Sequence, residues 1–333
     1  MAEKNQPLVV VHVRHYRRWL AVFAVGLGLV MTVHGLWAKI PTGQQNCAIR
    51  DGQQVCTDIM RWRFQWDVVG QYFTNQQILH GLVLTLELTV LTMIMGVLIG
   101  VLIAVMRLSP NRVLSSVAWG YTWFFRGTPV LVQLLFWFNI AVLFPKISLG
   151  IPFGPEFIEI DMVSFFTPFT AVLIGLGLNE GAYMSEIVRG GIQAVDEGQV
   201  EAASSIGLTR LQTLRLVVLP QAMRVIVPPT GNELISMLKT TSLASSVALM
   251  ELLKAAQNIY SRTYQVMPLL IVASLWYLFV TTLLSIGQFY VERHFAKGAL
   301  RTPPPTPIQR VRQDLRGILS KFRTPRGFSG VKR

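Results

Sequence analysis

Long, nearly uncharged apolar stretches limit the fold of this chain more than any other feature of its sequence. The clearest one runs from Gly81 to Met106, where Glu87 is the one charged residue. As an α-helix this stretch would be about 39 Å long, which exceeds the roughly 30 Å thickness of the hydrocarbon core of a membrane. Backbone N–H and C=O groups find no partners in hydrocarbon, so such a stretch must be helical. The composition agrees, since 52% of the residues are hydrophobic and 14% are charged.

Five other stretches share this character, and together they predict an all-α, polytopic helical membrane protein with six spans. The predicted spans cover residues 19–37, 81–106, 128–144, 164–189, 222–250 and 268–290. No small-x-small cleavage site follows the first span, which favours an uncleaved anchor over a signal peptide. A surface elbow ending at Arg126 is expected before the third span, and Pro228 and Pro229 predict an interruption in the fifth. Gly96, Gly100 and Ala104 predict a face of the second span that packs closely on another helix.

The distribution of positive charge predicts the orientation. Ten of the thirty Lys and Arg lie between Lys297 and Arg333, with Asp314 as the single acid among them. If both termini lie in the cytoplasm, most Lys and Arg outside the spans fall on the inner side, as the positive-inside rule requires. A basic tail next to a span is typical of contact with anionic lipid, so nucleic acid is not expected as a partner despite the formal charge of +13. The tail is either a basic amphipathic helix or disordered.

Two cysteines, Cys47 and Cys56, lie in the predicted external loop, residues 38–80, and are candidates for a disulfide in an oxidising compartment. The sequence has no GxxxxGK[ST] phosphate-binding motif, so this chain is not expected to hydrolyse ATP itself. HExxH and GxSxG are also absent, as is a Cys/His cluster. We therefore expect no enzyme activity, no metal site and no cofactor bound by this chain.

A polar, helix-prone segment, residues 196–222, separates the fourth and fifth predicted spans. Gly207 is a natural residue to end one helix, and Thr209 is a natural N-cap for the next, which is expected to end at Leu219-Pro220. Glu201 is expected in the first turn of the first helix, where the helix dipole favours an anion. Ala202 and Ala203 would leave a smooth surface for a partner to approach.

This helix-bend-helix segment resembles the EAA loop of the membrane-spanning permease subunits of bacterial ABC importers. The pattern of that loop is EAA, three residues, Gly and a later Leu-Pro, all present here. The stretches FRGTPVLVQL, NEGAYMSEIVRGGI and GNELISMLKTTSL are also similar to the polar-amino-acid branch of these importers. The resemblance implies that the segment couples the permease to a cytoplasmic ATPase, and it assigns this role to Glu201, Ala202, Ala203, Gly207 and Pro220.

The resemblance also implies an architecture and partners. A five-span permease core of the type I importers covers residues 81–293, preceded by 1–37 with an extra span and 38–80 as a loop, and followed by the tail, 294–333. The expected partners are ABC ATPase subunits that use ATP and Mg, a second permease subunit of the same or a different chain, and an external amino-acid-binding protein. The expected location is the bacterial cytoplasmic membrane.

Polar side chains with helical periodicity predict a substrate pathway. The candidates share one face of the fourth span or one face of the fifth: Asn179, Tyr183, Glu186, Asn232, Ser236 and Lys239. Lys239 either contacts a substrate carboxylate or, as we prefer, forms a structural ion pair with Glu233 or Glu180. Glu186 is either part of the pathway or a solvated residue near the cytoplasmic end of its span.

These features together predict a permease subunit of an ATP-driven importer for polar amino acids of the glutamate, glutamine, histidine and arginine class. Two alternatives stay open at this point. One is an ATP-independent carrier or channel, and the other is an ABC importer for another small polar solute, such as an opine or a peptide. A membrane-embedded enzyme is disfavoured because no paired catalytic residues are visible.

Overall fold

The computed structural model of this protein describes residues 25–31, 39–50, 53–62, 65–150 and 156–295, with the backbone alone described at 40–62, 149, 150 and 156–158. Most of the predicted first span and nearly all of the basic tail lie outside these residues. The predicted lipid contact of that tail therefore also lies outside them.

The described chain is mostly helical, as predicted. The helices in chain order are α1 (25–31), α2 (Trp66–Phe73), α3 (Gln76–Arg107), α4 (Arg112–Gly127), α5 (Val130–Phe138), α6 (Ile140–Leu143), α7 (Met162–Phe165), α8 (Pro168–Gln193), α9 (Glu197–Ser205), α10 (Arg210–Thr213), α11 (Leu219–Thr240), α12 (Leu252–Thr263) and α13 (Val266–Phe295). A π-helical turn, Leu214–Val218, joins α10 to α11, and a 3₁₀ segment, Thr241–Val247, follows α11.

Two antiparallel β-hairpins occupy loops that were predicted without strands. The first pairs β1 (Lys39–Arg50) with β2 (Gln53–Trp62), and the second pairs β3 (Lys146–Gly150) with β4 (Glu156–Asp161). The backbone register of the first hairpin places Cys47 opposite Cys56. Opposed residues in such a pair have α-carbons about 4.5–5.5 Å apart, which suits a disulfide. The two thiols lie outside the described atoms, so the disulfide stays a prediction.

The chain forms two compact units. Among the described residues, one unit combines those up to 78 with 256–272, and the other combines 79–255 with 273–295. The larger unit holds an apolar core in which α8 packs against α4, α5 and α11. Its fully buried members include Leu88, Leu134, Leu176 and Met184. Within this unit, α8 is therefore the central helix.

The close packing expected at the second predicted span is confirmed, and its partner is α8. A Cβ atom added at Gly96 would lie 2.5 Å from Cγ of Glu180, and one added at Gly100 would lie 2.5 Å from Cβ of Met184. Real Cβ atoms do not approach each other this closely, so the two helices touch through glycine backbone. Ala104, one turn further along α3, is fully buried.

Two described helices, α3 and α13, have the length and apolar composition of a membrane span. The third predicted span is divided between α5 and α6, which meet at Asn139. The chain break expected before this span is present, since α4 ends at Gly127 and α5 begins at Val130, and the surface position of the elbow stays a prediction. The count of six spans stays a prediction.

The predicted interruption at Pro228 and Pro229 is wrong, because α11 continues through both residues. Each proline removes one backbone N–H from the helix. The carbonyls that lose a backbone donor are those four residues earlier, of Arg224 and Val225. Side-chain hydrogen bonds reach two other carbonyls of the same stretch: Thr230 Oγ1 donates to the Ile226 carbonyl at 2.8 Å, and Gln288 Nε2 donates to the Pro228 carbonyl at 2.9 Å.

We expect Gly100→Ala to destabilise the protein, because the added methyl group would collide with Met184. Overpacking of this kind costs about 1–3 kcal/mol. The matched control is Gly120→Ala on α4, where an added Cβ meets no atom within 4 Å. Thermal unfolding in detergent should show a lower midpoint for the first variant and an unchanged or higher one for the second. Equal midpoints would contradict the close contact between α3 and α8.

Candidate functional site

The segment between α8 and α11 begins with a well-capped helix. The Asp196 carboxylate accepts a hydrogen bond from the Gly198 N–H at 2.8 Å, and α9 starts at Glu197. Glu197 therefore occupies the first turn, and the predicted first-turn position of Glu201 is wrong. The helix begins earlier than expected because Asp196 supplies the N-cap.

The predicted bend at Gly207 is confirmed. Gly207 has φ +84°, in the left-handed region that favours glycine. The Leu208 N–H bonds to the Ala203 carbonyl at 3.1 Å, and the Gly207 N–H bonds to the Ser204 carbonyl at 3.0 Å. These two bonds form the Schellman motif that ends many helices. The bend thus satisfies carbonyl groups that the end of α9 leaves free.

The predicted N-cap at Thr209 is also confirmed. The Gln212 N–H donates to Thr209 Oγ1 at 3.4 Å, and the Thr209 N–H donates to Gln212 Oε1 at 2.9 Å. This reciprocal pair is a capping box. The Schellman motif and the capping box together cap both helix ends at the bend between α9 and α10, so the bend has a defined shape.

The predicted end of the second helix at Leu219-Pro220 is wrong. Helical structure continues from α10 through the π-turn into α11, and Pro220 lies in the first turn of α11. The helical path is unbroken there, because the π-turn ends at Val218 and α11 begins at Leu219. The bend at Gly207 is therefore connected to α11 without an intervening loop.

The exposed surface of this segment differs from the expectation in one residue. Glu201 and Ala202 are exposed, but Ala203 is 4% exposed and lies on the inner side of α9. Ile206 and Leu211, on either side of Gly207, are 78% and 74% exposed. We missed these two side chains, although large apolar residues flanking a glycine bend in a polar segment are visible in the sequence. A large exposed apolar pair of this kind is typical of a protein-protein contact.

Asn179 was predicted to face a substrate pathway, but it is 6% exposed and holds two helices together. Its Nδ2 donates to the Phe125 carbonyl at 2.8 Å and lies 3.2 Å from Gln133 Oε1. Gln133 Nε2 also donates to the Phe125 carbonyl, at 3.0 Å, and to Thr128 Oγ1, at 2.7 Å. The two amide side chains thus supply hydrogen-bond donors to backbone carbonyls at the break between α4 and α5.

Two further contacts join α4 to α8. The Tyr121 hydroxyl donates to the Leu178 carbonyl at 2.6 Å. The Arg126 guanidinium lies 5.2 Å from the ring centroid of Tyr183, within the range of a cation-π contact. Tyr183 is partly exposed. Tyr183, a predicted pathway residue on α8, therefore lies beside the Arg126 side chain.

Glu180 is the most unusual polar residue of the larger unit. It is 3% exposed, and its Oε1 atom is buried without a hydrogen-bond partner. Glu233 on α11 lies within electrostatic range of Glu180, and Arg126 lies within range of Glu233. A buried carboxylate without a full set of partners is costly and is a candidate for ligand contact. The sequence pattern had suggested Glu180 only as a partner for Lys239.

The expected ion pair between Lys239 and Glu233 or Glu180 does not form. Lys239 is exposed, and within the described part of the chain it has no carboxylate within 4.0 Å. Asn232 and Ser236 are also exposed, so the three polar residues of α11 share an open face. Glu186 instead pairs with Arg189 on its own helix, with its Oε2 atom 2.5 Å from Nη2. The structure thus separates the buried Asn179 from the exposed residues of α11.

Neither a metal centre nor a titratable cluster of metal-ligand type is found among the residues that the structure describes.

Comparison with known proteins gives a consistent result. The family described as binding-protein-dependent transport system inner membrane components matches residues 96–297. The arginine transport system permease protein of Corynebacterium glutamicum is 48% identical over 72% of this chain and 74% of its own length. The L-cystine transport system permease protein of Bacillus subtilis is 39% identical over 68% of this chain and 90% of its own length.

Solved structures agree with these sequence relatives. A crystal structure of an amino acid ABC transporter with histidines has 37% identity and a TM-score of 0.58, over 68% of this chain and 98% of that one. An inward-facing methionine ABC transporter has 18% identity and a TM-score of 0.54, over 66% of this chain and 97% of that one. The second likeness concerns the fold alone.

We expect Asn179→Asp to destabilise the protein, because a carboxylate would face the Phe125 carbonyl and the Gln133 amide oxygen where the native amide donates. Loss of a buried donor costs about 1–3 kcal/mol, and more when a charge is left unpaired. The matched control is Asn232→Asp, at an exposed position. The unfolding midpoint in detergent should fall for the first variant only. An unchanged midpoint together with reduced transport would restore Asn179 to the pathway.

Proposed function

This chain belongs to the family of inner membrane components of binding-protein-dependent transport systems, and from this membership we infer that it is the membrane-embedded permease subunit of an ATP-driven importer of amino acids. The alternative of an ATP-independent carrier or channel is set aside, because relatives of this chain are permeases of ABC transporters.

We propose that the segment from α9 to α10 is the docking surface for a separate cytoplasmic ATPase, which binds ATP and Mg. The observation that carries this proposal is the capped bend at Gly207, which presents Ile206 and Leu211 to the outside and continues as helix into α11. Glu201 and Ala202 supply the polar part of the surface. Ala203 supports the surface from within, and Pro220 marks the start of α11.

The proposed cargo is a cationic amino acid, and arginine fits best. Glu180 has a carboxylate oxygen without a partner, and Glu233 adds a second acid nearby. A guanidinium or ammonium group would supply the missing donors. Arg126 beside Tyr183 would suit the carboxylate of the same ligand. The most similar of the relatives described above is named for arginine transport.

The remaining partners follow from the same proposal. The open face of α11, with Asn232, Ser236 and Lys239, would line a path shared with a second permease subunit. An external binding protein would deliver the amino acid from outside. Cytoplasmic termini and an anionic-lipid contact of the basic tail complete the proposed arrangement.

We expect Leu211→Asp and Glu201→Lys each to abolish recovery of the ATPase when the tagged permease is purified from detergent-solubilised membranes. Both residues are exposed, so the substitutions should leave the fold intact. A buried charge opposite an apolar surface weakens an interface strongly.

The control is Gln76→Asp, which adds the same negative charge as Leu211→Asp at an exposed position of α3, outside the proposed docking surface. It should retain the ATPase at the native level, with equal membrane insertion in all samples. The docking proposal is wrong if the native chain recovers no ATPase, or if both substituted chains recover it fully.

We expect Glu180→Gln to lower kcat/KM for arginine uptake by about ten-fold, which corresponds to about 1.4 kcal/mol, with little effect on glutamine uptake. The reason is the loss of a buried negative charge opposite the guanidinium group. The matched control is Glu87→Gln, at an exposed carboxylate of α3. The measurement is uptake of both amino acids by the reconstituted importer with its binding protein. Equal losses for both amino acids, or none, would remove Glu180 from cation recognition.

A further inference from the structure

A polar cavity lies at the turn between α3 and α4. Its volume is about 330 Å³, within the range of about 300–1,000 Å³ that is usual for small-molecule sites. The lining residues are Arg107, Ser109, Pro110, Arg112, Ser115, Ser116 and Trp119. Two guanidinium groups and three hydroxyl groups therefore surround one cavity.

The positive charge in this cavity is not neutralised by the neighbouring chain. The sequence from Arg107 to Gly127 contains no Asp or Glu. Within the residues that the structure covers, neither Arg107 nor Arg112 has a carboxylate within 4.0 Å. Arg107 Nε is also buried without a hydrogen-bond partner. The two guanidinium groups therefore keep donors that no carboxylate of the described chain takes up.

The other groups in the cavity favour the same kind of ligand. The start of α4 is directed toward this turn, and Asn111 Oδ1 caps it by accepting the Val113 N–H at 2.9 Å. The positive end of the helix dipole adds to the field of the two arginines. The hydroxyl groups of Ser109 and Ser116 are further donors toward an anion. The set of donors suits the oxygens of a phosphate group, since Arg binds phosphate in a two-point geometry.

The surroundings indicate a ligand that is itself part of the membrane. Along α4, Val113 and Val117 are 71% and 59% exposed, and Trp119 and Trp123 are 51% and 66% exposed. The two indole rings stack with centroids 6.2 Å apart. Exposed apolar residues with Trp are typical of a helix that lies at the membrane-water boundary. Trp119 also lines the cavity, so the polar site and the lipid-facing surface meet at one residue.

We propose that this cavity binds the phosphodiester headgroup of an anionic phospholipid, with Arg107 and Arg112 as its cationic ligands. The acyl chains of the lipid extend along the exposed face of α4. This site is independent of the predicted lipid contact of the basic tail, and it does not depend on the cargo or on ATPase docking.

The test is lipid binding to the purified importer complex, measured by native mass spectrometry while phosphatidylglycerol or phosphatidylcholine is titrated in detergent. We expect the native complex to bind phosphatidylglycerol more tightly than phosphatidylcholine. The double variant Arg107→Gln/Arg112→Gln should lose this preference, with an affinity for phosphatidylglycerol that falls at least about ten-fold. The charge-matched control Arg224→Gln/Arg262→Gln, at two exposed arginines outside the cavity, should keep it.

A second variant keeps the test valid if the double variant fails to assemble. Ser116→Leu fills the cavity without changing the charge, at an exposed position, and it should weaken phosphatidylglycerol binding as well. Equal binding by the native complex, the double variant and Ser116→Leu would overturn the proposal, as would an equal loss in the charge-matched control. Millimolar inorganic phosphate should not displace the lipid. Displacement would show that the cavity takes phosphate from solution, and would overturn the lipid assignment.

Discussion

Hydrogen bonds at the break between α4 and α5 support the helices on which the proposed transport function depends. A buried carbonyl without a partner costs about 1–3 kcal/mol, so a break in the helical backbone needs side-chain donors. Asn179 and Gln133 both donate to the Phe125 carbonyl, and this pairing fixes α8 against the break. Glu180, next along α8, touches Gly96 of α3. The hydrogen bonds to Phe125 and the contact with Gly96 therefore fix the position of the Glu180 carboxylate.

The sequence predicted best what depends on neighbours along the chain. Gly207 and Thr209 are defined by backbone conformation and by a hydrogen bond over three residues, so the bend between α9 and α10 was predicted correctly. The mostly helical fold follows from the long apolar stretches in the same way. The glycine face of α3 was also predictable, because residues four apart share one side of a helix.

The predictions that were wrong concern features that depend on contacts with other parts of the chain. Local rules end a helix at Pro228, but α11 continues through it and packs along α8. Periodicity placed Asn179 and Lys239 on polar faces, yet it carried no information on what those faces contact. The Asn179 side chain is buried against Phe125, whereas the Lys239 side chain is exposed and has no carboxylate partner in the described structure. Ala203 is buried because α9 packs on α10 and the π-turn, a contact that the periodicity of α9 alone does not predict.

The uninterrupted helical path from Arg210 to Thr240 has a mechanical consequence. At about 1.5 Å per residue the path is roughly 45 Å long, so a tilt of about 5° at one end would move the other by about 4 Å. A flexible loop would absorb such a tilt, whereas the capped bend at Gly207 and the continuous helix pass it on. This geometry acts as a stiff lever, in which a small rotation at the α10 end becomes a displacement comparable to the width of a side chain.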